Sequence, residues 1–312
     1  MLITFFMAIL QKNRFFLVII LAFFSFIVSC KSDKKGLNIS RQTSKLSELA
    51  LASPDTTIKI KWNNKYRNIY IIPSLTFFSK GNILLLHGWN LPPLGWCEQT
   101  TLCEKLRKNG FNIIIPDMGK SMYASEIYDE TLPIMAAQPQ LYWLTDTVLV
   151  TLSDSLNIFS PTENNFLVGL STGARGAFAV GLRVPEIFKA AVVLSGDYDQ
   201  TLMPNDNLMT YFYGSYEDFP ERWKGKDNLL SQANNWNLPI YIGHGQKDNV
   251  VPFEQSDTLY KTLVKIGKVE IVSNFPKDQK HDYTYWESES ENIINFINAI
   301  CDKEKEDLLS KK

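Results

Sequence analysis

The amino-acid sequence predicts an α/β fold with a mostly parallel central sheet that is covered by helices on both faces. Short apolar runs typical of buried strands alternate along the chain with longer segments of helical periodicity. Chemically active side chains follow several of these runs, where the carboxyl ends of parallel strands form the edge that binds ligands. These side chains are His87, Ser171, Asp197, Asp248 and His281.

Length and composition allow one large domain or two small ones. The chain has 312 residues, of which 45% are hydrophobic and 21% are charged, as in ordinary globular proteins. A formal net charge of -1 gives no reason to expect nucleic acid as a partner.

The first 30 residues have the pattern of an export signal. Lys12 and Arg14 precede an apolar run over 15–28, and Ser29 and Cys30 precede a polar stretch. The letters Ile-Val-Ser-Cys resemble the bacterial lipoprotein box, which implies cleavage before Cys30 and attachment of lipid to it. We therefore expect an exported lipoprotein, anchored to a membrane of a bacterial cell envelope in the periplasm or outer membrane. The alternative is an uncleaved anchor, although the run is short for a span.

A polar linker is predicted over 31–55, a catalytic domain over 56–302, and a charged tail over 303–312. Within the domain, residues 200–237 form an irregular insert rich in Tyr, Phe and Trp. The predicted strands are 57–62, 67–72, 82–87, 111–116, 166–170, 189–194, 239–243 and 268–272. The predicted helices are 96–108, 140–156, 172–182, 254–266 and 291–300.

Two details of these elements carry further expectations. The first two strands pair around a turn at Asn63 and Asn64, because alternating apolar runs flank a turn-forming dipeptide. Cys97 and Cys103 fall six residues apart on the predicted helix 96–108, where they would be too distant to form a disulfide.

Residues 164–180 organise the predicted site. A buried strand ends at Leu170, a helix begins at Thr172, and Gly169-Leu-Ser171-Thr-Gly173 between them matches G-x-S-x-G. In that motif the serine lies at the apex of a sharp turn, and the flanking glycines avoid collisions across it. The motif alone is weak, but the strand before it and the helix after it favour a nucleophilic serine over an ordinary turn.

A serine nucleophile needs a histidine base and an acid to orient that base, in the chain order Ser, Asp or Glu, His on this kind of sheet. His281 is the base by elimination, because His87 and His244 precede every candidate acid. Asp248 is the preferred acid, since it lies in a turn between a strand and a helix. Asp197 and Asp199 are rivals that more often form turns.

Two backbone N–H groups complete the predicted site as an oxyanion hole. One belongs to Thr172, directly after the nucleophile, and the other to the loop after the strand 82–87, where Trp89 is preferred. His87 and His244 are expected to shape their loops, and Arg175 to form a structural ion pair.

Beyond these residues, the chain resembles the α/β-hydrolases, and among them the esterase D-like branch. Gly-Leu-Ser-Thr-Gly-Ala-Arg-Gly-Ala-Phe-Ala over 169–179 looks like that branch's nucleophile helix, and 116–123 is similar to its substrate loop. Asp248 and His281-Asp-Tyr-Thr-Tyr-Trp286 match its acid and base positions. The resemblance covers about 80–302 and implies hydrolysis of carboxylic esters or thioesters, or acyl transfer. The letters His-Gly-Trp at 87–89 depart from the branch and are more like general lipases and peptidases.

We thus expect a serine esterase that acts on a small-molecule ester, with no metal and no cofactor. The sequence has neither H-E-x-x-H nor a dinucleotide or phosphate-binding glycine motif. The alternatives are a peptidase of the prolyl oligopeptidase kind, for which we expect too little room for a propeller domain, and a non-catalytic binding lipoprotein. The aromatic insert is expected to form a wall of the acyl pocket or, almost equally, a small satellite core.

Overall fold

Eight strands form a single sheet in the computed structural model, which describes residues 56–135 and 139–310. The order across the sheet is β1-β2-β4-β3-β5-β6-β7-β8; β3 to β8 are parallel, and β1 and β2 add an antiparallel hairpin. The strands are β1 Thr56–Trp62, β2 Lys65–Ile72, β3 Gly81–Leu86, β4 Phe111–Pro116, β5 Asn165–Leu170, β6 Ala190–Leu194, β7 Ile240–Gly243 and β8 Ile271–Asn274.

Helices cover both faces of this sheet, as predicted. They are α1 Gly95–Gln99, α2 Leu102–Lys108, α3 (Gln140–Tyr142, a π-helical segment Trp143–Leu149, and Val150–Leu156), α4 Thr172–Arg183, α5 Asn207–Tyr213, α6 Pro220–Trp223, α7 Glu254–Ile266, α8 Tyr283–Ser288 and α9 Ser290–Ser310. The core on one face draws on α3, α4 and α7, and the core on the other draws on α1, α2, α8 and α9. The α/β-hydrolase fold expected from the sequence is therefore confirmed.

The apolar runs of the sequence form strands because both faces of the sheet exclude water. Every residue of β3, β5, β6 and β7 is buried, so these strands show no polar alternation. The hairpin β1–β2 turns at Asn63, whose φ of 52° lies in the left-handed region that asparagine tolerates.

The prediction of one continuous helix over 96–108 was wrong. The chain leaves helical geometry at Thr100, which has extended backbone, and resumes as α2 at Leu102. This break brings the Cα atoms of Cys97 and Cys103 to 5.1 Å, and the two residues form a disulfide. The two cysteines, expected to be too distant on an unbroken helix, can bond because the helix is interrupted between them.

Two boundaries near the carboxyl terminus also differ from expectation. The last strand begins at Ile271 rather than at 268, and α9 continues to Ser310 through most of the segment expected to be a charged tail. The predicted export signal, Cys30 and the linker lie outside the described residues. In the part of the chain that is described, no helix combines the length and apolarity that a membrane span requires.

The insert after β6 is more regular than predicted, because it contains α5 and α6 together with 3-10 turns. Most of its buried aromatic rings pack with methionines in a satellite core outside the two main ones. The buried members of this satellite core are Met122, Ala124, Met135, Met209, Phe212, Tyr213 and Trp223.

Candidate active site

Ser171 occupies a strained turn between β5 and α4. Its φ of 54° and ψ of -129° place a non-glycine residue in a sparsely populated region, and its N–H donates to the Leu194 carbonyl at 2.8 Å. The flanking glycines are required by contact: a Cβ on Gly169 would lie 2.1 Å from the Gly173 carbonyl oxygen, and one on Gly173 would lie 2.1 Å from that of Leu86. The backbone thus packs too closely for any side chain on either side of the serine.

The structure brings Ser171, His281 and Asp248 together at the carboxyl edge of the sheet. His281 Nε2 lies 3.0 Å from Ser171 Oγ, and His281 Nδ1 lies 2.6 Å from Asp248 Oδ2. The two distances are within hydrogen-bonding range, so one imidazole bridges the hydroxyl and the carboxylate. The histidine is largely covered, with its side chain 9% exposed.

The Asp248 carboxylate is held from several sides. Its Oδ1 accepts the N–H groups of Val250 at 2.8 Å and Val251 at 2.9 Å, which fixes the orientation of the carboxylate toward His281. Burial by itself raises the pKa of Asp248, but hydrogen bonds from His244 and His281 outweigh burial and hold the pKa well below its usual value. The acid is therefore ionised when His281 approaches it.

His244 is a second partner of the same carboxylate, which the sequence did not indicate. Its Nε2 lies 3.1 Å from Asp248 Oδ2 and 3.1 Å from the Val251 carbonyl, and its Nδ1 lies 2.8 Å from Ser256 Oγ. A neutral ring with its proton on Nε2 can donate to the first two and accept from Ser256. His244 fixes its loop, as expected, and it also contacts the acid itself.

The two residues expected to form the oxyanion hole both border the site. Thr172 is the first residue of α4, so its N–H is one of those that a helix leaves without an intrahelical acceptor. Trp89 lies on the loop after β3, which approaches so closely that a Cβ on Gly88 would be 3.0 Å from Ser171 Cβ. Trp89 and Thr172 both line the same cavity as Ser171.

His87 fixes the loop after β3. Neither hydrogen bond of its ring reaches Ser171 Oγ or His281. Its Nε2 accepts the Met118 N–H at 2.9 Å, which leaves the proton on Nδ1 for the Gly88 carbonyl at 2.8 Å. Burial lowers the pKa of His87, which favours this neutral form. Its role as a loop-shaping residue agrees with expectation.

Asp197, the rival acid, pairs with an arginine instead of His281. Its Oδ2 pairs with the Arg175 guanidinium at 3.0 Å, and both side chains are 1% exposed. Arg175 also donates to the Met122 carbonyl at 3.2 Å and to the Tyr213 hydroxyl at 3.0 Å, so it joins the aromatic insert to the main body. The structural ion pair predicted for Arg175 is confirmed.

A cavity of about 380 Å³ opens beside Ser171 and His281. Apolar side chains supply much of its lining, and the insert contributes residues from the segment before α5 and from the first turn of α5. The apolar lining comprises Trp89, Leu91, Met203, Leu208, Met209, Val250, Val251, Tyr283 and Trp286. The acidic lining residues are Asp197, Asp206 and Asp282.

Both alternatives expected for the insert have a counterpart in the structure, since one part borders the cavity and another forms a satellite core. Met203, Leu208 and Met209 line the cavity, whereas the rings of Tyr213 and Trp223 are fully buried in the satellite core. A sequence read for aromatic density could not tell these apart, because aromatic residues suit a small core as well as a pocket.

The fold and the Ser-His-Asp arrangement define the protein as an α/β-hydrolase. Residues 146–302 match the prolyl oligopeptidase family, and the chain belongs to that family. The expected superfamily is thus confirmed, whereas membership of the esterase D-like branch stays a prediction.

More distant similarities extend to acyltransferases and hydrolases. The diacylglycerol acyltransferase/mycolyltransferase Ag85B of Mycolicibacterium smegmatis is 22% identical over an alignment of length 241, and this alignment covers 66% of this chain and 72% of that protein. An S-formylglutathione hydrolase from Agrobacterium tumefaciens superposes with a TM-score of 0.63 at 12% identity, covering 78% of this chain and 92% of its own. The fluorophosphonate-binding serine hydrolase FphF of Staphylococcus aureus superposes with a TM-score of 0.61 at 17% identity, covering 78% of this chain and 97% of its own. At these identities the structural similarity concerns the fold.

Proposed function

We propose that the protein is a carboxylic ester hydrolase that works through a Ser171–His281–Asp248 triad and an acyl-enzyme. The observation that carries this proposal is the continuous contact from Ser171 Oγ to His281 Nε2 at 3.0 Å and from His281 Nδ1 to Asp248 Oδ2 at 2.6 Å. It lies at the wall of an apolar cavity, as a site for an acyl chain requires.

The proposed reaction has two halves. His281 Nε2 takes the Ser171 proton as Oγ attacks the ester carbonyl carbon, and the same proton then passes to the alkoxide when the ester C–O bond breaks. In the second half water attacks the acyl-Ser171 carbon, His281 takes a proton from that water, and Ser171 Oγ leaves with it. Asp248 stays ionised, keeps the imidazole proton on Nδ1 and stabilises the imidazolium.

The oxyanion formed in each half is assigned to the backbone N–H groups of Thr172 and Trp89. The position of Thr172 at the start of a twelve-residue helix supports this role, because the N-terminal amides and the helix dipole favour negative charge there. The close approach of the loop after β3 to Ser171 supports the second donor.

A peptidase activity is the second candidate, and the prolyl oligopeptidase family match favours it. Both reactions use the same nucleophile, so the triad does not separate them. The test is a panel of p-nitrophenyl esters of increasing acyl length together with prolyl amides, assayed on the wild type and on Ser171→Ala. We expect ester hydrolysis to dominate, and Ser171→Ala to reduce it by roughly 10⁴ to 10⁶-fold.

Ser195→Ala is the matched control for this test. Ser195 follows the neighbouring strand β6, and its φ of 52° is close to that of Ser171, but its Oγ accepts the Trp286 Nε1–H at 3.2 Å. This variant should keep most of the activity. Faster turnover of prolyl amides than of any ester would favour the peptidase, and no turnover of either class, without labelling by a fluorophosphonate, would favour a binding protein.

Export as a lipoprotein modified at Cys30 is a further part of the proposal, supported by the sequence pattern of residues 12–30. Mass spectrometry of the native amino terminus tests it. Lipid on Cys30 is expected, and an unmodified mature terminus would contradict it. Cys30→Ser should release the protein from the membrane fraction or block its maturation.

A further inference from the structure

The loop 73–80 between β2 and β3 exposes apolar side chains in a way that the active site does not use. Phe77 is 94% exposed and Phe78 is 79% exposed, and Leu75 beside them is 47% exposed. The two phenylalanine rings meet edge to face with their centroids 4.7 Å apart. Single exposed apolar residues are common on protein surfaces, but three within four positions form a small apolar patch. We call residues 73–80 the aromatic loop.

Hydrogen bonds hold the aromatic loop to the body of the protein. At its start the Leu75 N–H donates to the Arg107 carbonyl at 3.0 Å, and at its end the Lys80 N–H donates to the Gly110 carbonyl at 2.7 Å. Within the loop, the Thr76 hydroxyl donates to the Phe78 carbonyl at 2.7 Å. The rings therefore project from a braced turn, and a partner could bury them with little ordering of the backbone.

The aromatic loop lies at the edge of the sheet opposite the active site. It leads into the amino end of β3, whereas Ser171 and His281 follow the carboxyl ends of parallel strands. The described chain enters at this same edge, because Thr56 at the start of β1 pairs with Ile71 at the end of β2. In the sequence, the residues before Thr56 comprise the apolar run 15–28, Cys30 and the polar stretch 31–55.

We propose that the aromatic loop inserts Phe77 and Phe78 into the boundary between headgroups and acyl chains of a lipid bilayer. Insertion removes the apolar surface of both rings from water, so the pair adds a second attachment to whatever tether the amino terminus provides. The described chain begins at the same edge, so an amino-terminal tether and the loop would act on one side of the domain. The active site then faces away from the bilayer, toward water-soluble substrates.

Position-specific labelling of the full-length protein in phosphatidylcholine–phosphatidylglycerol vesicles tests this proposal. Phe77→Cys is labelled with a polarity-sensitive fluorophore, and quenching by lipids with nitroxides on their acyl chains is measured. Tyr66→Cys is the matched control, because Tyr66 is an aromatic residue 67% exposed near the other end of β2. The unsubstituted chain, treated in the same way, gives the background from its own cysteines.

The label at 77 should be quenched at least about threefold more strongly than the label at 66, with a blue shift that depends on lipid. Equal quenching at the two positions would overturn the proposal. A blue shift at 77 without lipid would also overturn it, since the loop would then be covered by another segment or by a second copy.

Two further measurements separate membrane contact from damage to the fold. Hydrogen exchange of the wild-type protein should slow over 74–80 when vesicles are present, and exchange at the turn 63–66 should not change. Phe77→Ser with Phe78→Ser should abolish this protection and leave hydrolysis of a water-soluble ester within about twofold of wild type, because surface changes away from the site cost little. Protection that survives both substitutions would contradict the proposal.

Discussion

Asp197 and Asp248 follow neighbouring strands of one sheet, and each carries a buried carboxylate at the catalytic edge. Asp197 pairs with the guanidinium of Arg175, whereas Asp248 binds the imidazoles of His281 and His244. A guanidinium is always protonated, so Arg175 cannot act as a base toward Ser171, and Asp197 beside it does not orient a base. An imidazole changes its protonation during acyl transfer, so a carboxylate beside it can orient it and stabilise its charged form.

The side chain that each carboxylate binds, and not its burial or its position after a strand, decides its role in this protein. Both acids are deeply covered and both follow a strand by a few residues. The Arg175–Asp197 pair joins α4, the loop before α3 and the aromatic insert into one unit. The carboxylate of Asp248 instead holds one side chain, His281, against the nucleophile Ser171. We therefore expect changes at Asp248 to abolish activity, and changes in the Arg175–Asp197 pair to lower stability without a direct effect on catalysis.

The largest effect should come from Asp248→Asn. The amide cannot stabilise an imidazolium and favours the wrong tautomer of His281, so kcat should fall by about 10⁴-fold in variant protein that is folded at the assay temperature. Steady-state kinetics on a p-nitrophenyl ester measures this loss. Asp197→Asn, if still folded, should retain activity within about tenfold of wild type. If Asp197→Asn proved to be the inactive variant at unchanged stability, the acid would be misassigned.

Arg175→Met should mainly destabilise the protein. It leaves the Asp197 charge buried without its partner, and breaking such a pair costs about 3–5 kcal/mol of unfolding free energy. Arg183→Met is the matched control on the same helix, because Arg183 pairs with Asp146 at the surface and should lose at most about 1 kcal/mol. Urea denaturation measures both. Equal losses for the two arginines would remove the distinction between the buried and the exposed pair.

Replacing the disulfide should have a smaller effect. Cys97→Ser with Cys103→Ser opens a closed loop with a sequence separation of six, which in the chain-entropy treatment is worth about 2 kcal/mol. The disulfide lies outside the triad, so kcat/KM should stay within about twofold of wild type. Chemical denaturation and ester kinetics on the double variant check both points, and a large fall in kcat/KM at full stability would show that the bond acts on the site.

Asp248 should make the free energy of unfolding depend on pH in the acidic range. Its pKa is held below the unfolded value of about 3.9, so its stabilisation is complete above that value and is lost as pH falls through the folded pKa. The unfolding free energy of wild type minus that of Asp248→Asn should be constant near about pH 6 and shrink toward about pH 2. Parallel profiles for the two proteins would contradict the depressed pKa.

The sequence predicts the fold well where one local pattern decides the structure. The buried strands are continuous apolar runs. The turn at Ser171 can be predicted from Gly169 and Gly173, because a side chain at either position would collide with the backbone. The break at Thr100 was missed, because helical periodicity continues on both sides of it and the disulfide that spans it is a tertiary contact. The extension of α9 to Ser310 was missed for a related reason, since a charged helix and a charged tail have the same composition.

For the site, three patterns led to the residues that the structure brings together: the G-x-S-x-G motif for Ser171, the turn between a strand and a helix for Asp248, and chain order for His281. The contact of His244 with Asp248 could have been suspected from their spacing of four residues on one loop, but such spacing is common in turns. The division of the insert between cavity wall and satellite core depends on which way each side chain points. That is decided by packing against Met122 and Met135, which come from a segment distant in sequence.

The most direct test of the central claim is to trap the acyl group on the enzyme. The wild type is mixed with a slowly deacylated ester, quenched in acid and digested, and the peptides are analysed by mass spectrometry. The account predicts one acyl group on the peptide that contains Ser171, its loss in Ser171→Ala, and its persistence in Ser195→Ala. An acyl group on another residue, or full turnover by Ser171→Ala, would contradict the assignment of Ser171 as the nucleophile.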